Sequence, residues 1–170
     1  MKMNYLKLRL LLAFLPIAFV CMGQTPAEYE ANYAARIKME MINGVYIPND
    51  LMDAFDELNR LSAPAGLAEF KSSPEDSVRR KLHFGLGRWI LINWGLEEGS
   101  RISDYMKKHG VAHPDDMVEV IIITWHRHLN GQSLKFNEEV AIIDKRLQEE
   151  KAKRDGEAQK TILEKKPHKE

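Results

Sequence analysis

Three times in this chain a proline follows a potential helix cap and precedes acidic residues: Thr25-Pro26-Ala27-Glu28, Ser73-Pro74-Glu75-Asp76 and His113-Pro114-Asp115-Asp116. Proline suits the first turn of a helix, where its missing N–H would have no partner anyway. Acids two or three residues in complement the positive end of the helix dipole. Stop signals answer these starts at Asn43-Gly44, Gly110 and Asn130-Gly131, residues that tolerate the left-handed turn ending a helix. A chain punctuated this way is confined to a series of short helices packed on one another.

The punctuation predicts a helix from Pro26 to about Ile42. A second, capped by Asn49 or Asp50, carries Leu51, Phe55, Leu58 and Leu61 at helical spacing. A short piece around Leu67 to Phe70 follows, then a helix from Pro74 to about Asn93. Ser100 opens a short helix closed by Gly110, with Val111 placed for the apolar contact of a Schellman cap. Another runs from His113 to Asn130, and Asn137 caps a last one carrying Val140, Ile143 and Leu147. Val45 to Pro48 is extended. The expected fold is all-α, a compact single-domain bundle of about six helices with room for one short strand pair. Beyond Gln148 the residues are mostly charged and carry no apolar stripe, so 148–170 is expected to be a charged tail or a solvated helix, and 24–147 the helical domain.

The first 23 residues read as a signal peptide. Lys2, Lys7 and Arg9 precede an apolar run from Leu10 to Met22, and Cys21 and Gly23 are small residues placed for cleavage before Gln24. The run is shorter than the roughly 20 apolar residues a membrane span needs. Export to the periplasm or the outside of the cell is the expectation. Lipoprotein anchoring through Cys21 is the less favoured route, because Val20 stands where a lipoprotein signal wants a small residue. Cleavage would remove the only cysteine of the chain, so stability must come from packing rather than disulfides. The 25 basic and 25 acidic residues balance, which gives no electrostatic footprint for nucleic acid.

On a helical wheel over Pro74 to Asn93, Val78, Leu82, Leu86, Trp89, Ile90 and Ile92 fall within one arc, with Gly85 among them. Phe84 and Leu91 make a smaller patch opposite. Trp89 is therefore expected in the core, and Asn93 at the helix end, satisfying backbone groups. In the helix after His113, the wheel puts His128 at the centre of the apolar face and His126 on the polar face. The two cannot share a metal. No HExxH, CxxC, Walker loop or GxSxG is present, so neither metal nor cofactor is expected.

The stretch "HFGLGRWILINWGLEEGSRISDYMKKHGVAHPDDMVEVIIITWHRHLNG" resembles an uncharacterised bacterial family of domains of unknown function, the one numbered 6794. The shared features are a GLG-W segment, Asn-Trp-Gly-Leu, Gly-Ser-Arg and His-Pro-Asp-Asp-Met. The likeness covers about Asn43 to Lys145. Leu91, Ile92, Glu97 and Val118 depart from the family's pattern. The resemblance implies no activity.

Candidate binding residues are Trp94, Arg101, His113, Asp115 and Asp116. Arg101 is expected near the His113 helix start, either flanking a groove walled by Trp94 or forming a structural ion pair with Asp115 or Asp116. The expected function is a non-enzymatic binding or interaction module whose partner is an envelope or extracellular protein or a small ligand. The alternative is an enzyme whose site gathers Arg101, His113, Asp116 and His83.

Overall fold

The structure is a computed structural model describing residues 25–81 and 84–164, with side chains as far as residue 160. The expected signal peptide and Cys21 lie outside the described residues, as does His83. Eight helices are described: α1 Pro26–Arg36, α2 Leu51–Leu61, α3 Pro64–Ser72, α4 Glu75–Lys81, α5 Leu86–Asn93, α6 Arg101–Lys108, α7 Pro114–Leu129 and α8 Phe136–Glu164. One hairpin joins α1 to α2, with β1 Met41–Ile42 antiparallel to β2 Val45–Tyr46. The all-α expectation holds, and the helices number eight rather than six.

Two of the differences come from glycine. Asn43 and Gly44 do not end a helix. Both have positive φ, 50° and 79°, the geometry of a two-residue hairpin turn, and α1 stops earlier, at Arg36. The expected helix over 74–93 is two helices. Gly85 has φ +57°, and a Cβ there would meet open space. So Gly85 marks a break, and the buried glycine of this segment is Gly87. With the phase interrupted, Trp89 is only half buried and Ile92 is exposed. Asn93 does serve the backbone, donating from Nδ2 to the Trp89 carbonyl at 2.9 Å.

The caps are where the residues ask for them. Thr25 and Glu28 form a capping box, Asp50 accepts from the Asp53 N–H, and Ser100 pairs reciprocally with Ser103. After α6, the Val111 N–H returns to the Met106 carbonyl at 3.0 Å and its side chain is fully buried, which is the Schellman closure.

The centre of the fold is α7, packed against α2, α3, α4, α5, α6 and α8. From Asp116 to Arg127 every residue but Glu119 is buried. A helix apolar on all sides is an interior helix, and Val120-Ile121-Ile122-Ile123 gives it that character. This overturns the expected histidine placement. His126 is buried, its Nε2 donating to the Ser73 carbonyl at 2.9 Å and its ring meeting Phe70 edge-on. His128 is half buried beside Phe55. The wheel's polar face is roofed by the α3–α4 junction, so no face of α7 is wholly given to water.

The helix α8 joins the core through Ile143 and, less completely, Val140 and Leu147. From Gln148 to Lys160 it continues with every residue exposed, a solvated helix. No helix among the described residues is long and apolar enough to cross a membrane.

Candidate functional site

His113, the N-cap of α7, and Asp115 and Asp116 in its first turn line one groove of about 340 Å³, together with Glu119, Arg146 and Leu147. His113 makes no side-chain cap bond. Asp116 is 8% exposed and pairs with Arg146 of α8, whose other nitrogen reaches Glu119 at 3.4 Å. Burial pushes the Asp116 carboxyl above its ordinary range, outweighing the pull of the Arg146 guanidinium.

The groove opens onto a chain of charges that runs inward. Glu119 accepts from Arg79 at 2.7 Å, Arg79 also reaches Glu139 at 2.7 Å and Glu75 at 3.2 Å, and Arg127 bonds Glu75 and Glu139 at 2.7 and 2.8 Å. The Glu139 side chain is 3% exposed and that of Arg127 9%. The Arg127 hydrogen bonds, with Arg79 adding to them, hold the Glu75 carboxyl below its usual range. Buried ions persist only when so paired. The network therefore locks α4, α7 and α8 together, and its carboxylates are occupied by arginines rather than free for chemistry.

Arg101 and Trp94 are not part of this groove's lining. Arg101, the first residue of α6, points to the hairpin. Its Nε donates to the Ile47 carbonyl at 3.0 Å, Nη2 donates to the same oxygen, Nη1 reaches Glu40 at 3.5 Å, and the guanidinium lies 5.3 Å from the Tyr46 ring centroid. The carboxylate it meets is thus Glu40. Trp94 is fully buried in the core, edge-on to Trp89, and its Nε1 has no protein partner. The turn between them is a seat for α1. Gly99, at φ +95°, leaves room for the Tyr33 ring, which a Cβ would meet at 2.3 Å, and its carbonyl accepts from Arg36 Nε at 2.9 Å.

A second groove, apolar and not anticipated from the sequence, lies between α3, α4, α5 and α7. Phe70, Val78, Leu86 and Ile122 line its volume of about 250 Å³, with exposed Glu69 and Lys81 beside them. Phe84, 77% exposed, also lines it. The signal was Phe84 itself, an aromatic off the main apolar arc, but its meaning depended on the break at Gly85. Among the described residues no group of three His, Cys, Asp or Glu side chains is placed to hold a metal ion.

Residues 47–129 match a family described as a domain of unknown function, DUF6794. The match covers 83 of the 170 residues, a little under half of the chain. No curated protein and no solved structure matches the chain. The DUF6794 segment starts at Ile47, the residue Arg101 holds, and ends with the last residue of α7. The apolar groove falls wholly inside it, from Gly66 to Ile122. The His113 groove does not, since Arg146 and Leu147 come from α8.

Proposed function

We propose that this chain is an exported, non-enzymatic binding module whose DUF6794 segment receives an apolar group of an envelope or extracellular protein in the groove beside Phe84. The observation that carries the reading is the pairing of an open apolar groove with a phenylalanine left 77% exposed next to it. Exposed large apolar surface in a concavity marks contact sites. About 250 Å³ suits one or two large side chains. Export rests on the charged, apolar and small-residue order of the first 23 residues. That Arg101 is engaged by the Ile47 carbonyl and Glu40 supports binding over an active site shared with His113 and Asp116.

Two substitutions test the groove without disturbing the core. Phe84→Ser removes the exposed ring. Gly66→Leu adds a side chain on the groove lining, where a Cβ meets nothing within 4 Å. A photo-crosslinking residue at position 84, in cells exporting the chain, should yield a discrete protein adduct that Gly66→Leu abolishes. An adduct with a small molecule in its place would point to a ligand as occupant. Adduct formation unaffected by Gly66→Leu would refute the groove. The exported protein should begin at Gln24 by mass spectrometry, and a lipid-modified Cys21 would contradict simple cleavage.

A further inference from the structure

A third groove lies between α1 and the hairpin. Its volume is about 400 Å³, and it is lined by Tyr29, Asn32, Arg36, Met39, Met41 and Glu98 among others. Met39 is 44% and Met41 53% exposed. The core methionines, Met106 and Met117, are fully buried. Two thioethers left in the open on one groove are not explained by packing.

Met39 closes the turn after α1, its N–H donating to the Arg36 carbonyl at 3.0 Å, and Met41 opens β1. Here the Glu40 carbonyl accepts from the Ile47 N–H at 2.8 Å, extending the hairpin pairing past β1, while the Glu40 carboxylate reaches Arg101. Met39 and Met41, on either side of Glu40, both line the groove instead. In the Met-Glu-Met triplet the middle side chain goes to an arginine and both flanking residues go to the groove lining.

We propose that Met39 and Met41 form a binding site for a thiophilic monovalent cation, Cu(I) or Ag(I). Thioether sulfur is a soft, uncharged donor that selects such ions over hard or borderline divalent metals. The groove lining contains no histidine or cysteine, so the sulfurs are its soft donors. Tyr29 adds an aromatic ring to the same lining, a group whose face attracts cations. The positive charge of Arg36 is engaged, with Nε on the Gly99 carbonyl and Nη2 3.7 Å from Glu98, and Glu98 brings a compensating carboxylate to the lining.

The test uses Ag(I), which needs no reductant, titrated calorimetrically into the exported chain. Cys21 is alkylated wherever it is retained, so that its thiol does not compete. Wild type should bind one Ag(I) with Met39 and Met41 methyl NMR signals shifting and those of Met106 and Met117 still. Met39→Leu/Met41→Leu should weaken that binding at least tenfold. Either single variant should fall between, and Met52→Leu, on exposed but separate sulfur, should match wild type. Leucine is close to isosteric, and equal thermal midpoints would confirm that the fold is intact. Binding unchanged in the double variant, or shifts confined to histidine ring signals, would overturn the site.

Discussion

The two deeply buried tryptophans offer a matched comparison. Trp94 is 0% and Trp125 1% exposed. Trp125 Nε1 donates to Asn59 Oδ1 at 3.0 Å, whereas Trp94 Nε1 has no partner among the protein atoms. Replacing either with phenylalanine removes the same atoms and leaves a similar void. The polar terms have opposite sign. Trp125→Phe gives up a hydrogen bond worth about 1 kcal/mol net, while Trp94→Phe relieves a stranded donor whose desolvation costs about 1–3 kcal/mol. Trp125→Phe should therefore be the more damaging by about 2 kcal/mol or more. At about 3 °C per kcal/mol for a domain of this size, the midpoints should differ by about 6 °C. Thermal unfolding followed by far-ultraviolet circular dichroism measures it directly, and urea titration gives the free energies. Equal losses, or a greater loss for Trp94→Phe, would refute the reasoning and show that an ordered water satisfies the Trp94 indole.

Glu139→Ala should destabilise by about 3 kcal/mol or more, because it strips a buried partner from both Arg79 and Arg127; a urea midpoint within error of wild type would show that the network adds nothing. Glu75 has a folded pKa below its unfolded value, so its contribution is fully present above the unfolded pKa and lost as pH falls through the folded one. The stability gap between wild type and Glu75→Gln should therefore stay constant from pH 7 down to about 5 and close below the ordinary carboxylate range, as read by urea unfolding at several pH values. Gly66→Ala should stabilise α3 by up to about 1 kcal/mol, since the glycine sits inside a helix with open space at its Cβ position; a lower thermal midpoint would contradict that placement.

Much of the helical order was legible because caps are local. Thr25, Asp50 and Ser100 act within three residues of themselves, and the Gly110-Val111 closure within six. The Asn43-Gly44 pair was legible too, but it carries two meanings, helix stop and hairpin turn, and only pairing across it decides between them. The histidine order was misread for a different reason. A wheel assumes one wet face, whereas α7 is surrounded, and its unbroken Val120–Ile123 run was the available sign of that. The site residues were least legible. Arg101 finds a backbone carbonyl 54 residues away, an acceptor every residue has and none advertises. His113, Asp115 and Asp116 do share a groove, but Arg146, its basic member, reads in sequence as one more charge on the outer face of the last helix.

The arginine–glutamate network also separates kinship from autonomy. The DUF6794 segment contains Glu75, Arg79 and Arg127, but the nearly dry Glu139 that both arginines share lies beyond its end. A fragment cut at Leu129 would keep Glu75 and Glu119 beside the two arginines but lose the buried Glu139, and it would bare the apolar flank of α7 that Val140, Ile143 and Leu147 of α8 help to cover. Such a fragment should misfold or associate with itself, although it would contain every residue by which the family is recognised. The stretch by which the family is recognised and the stretch that packs on the core are different lengths of polypeptide, since Val140, Ile143 and Leu147 of α8 lie beyond the first and belong to the second.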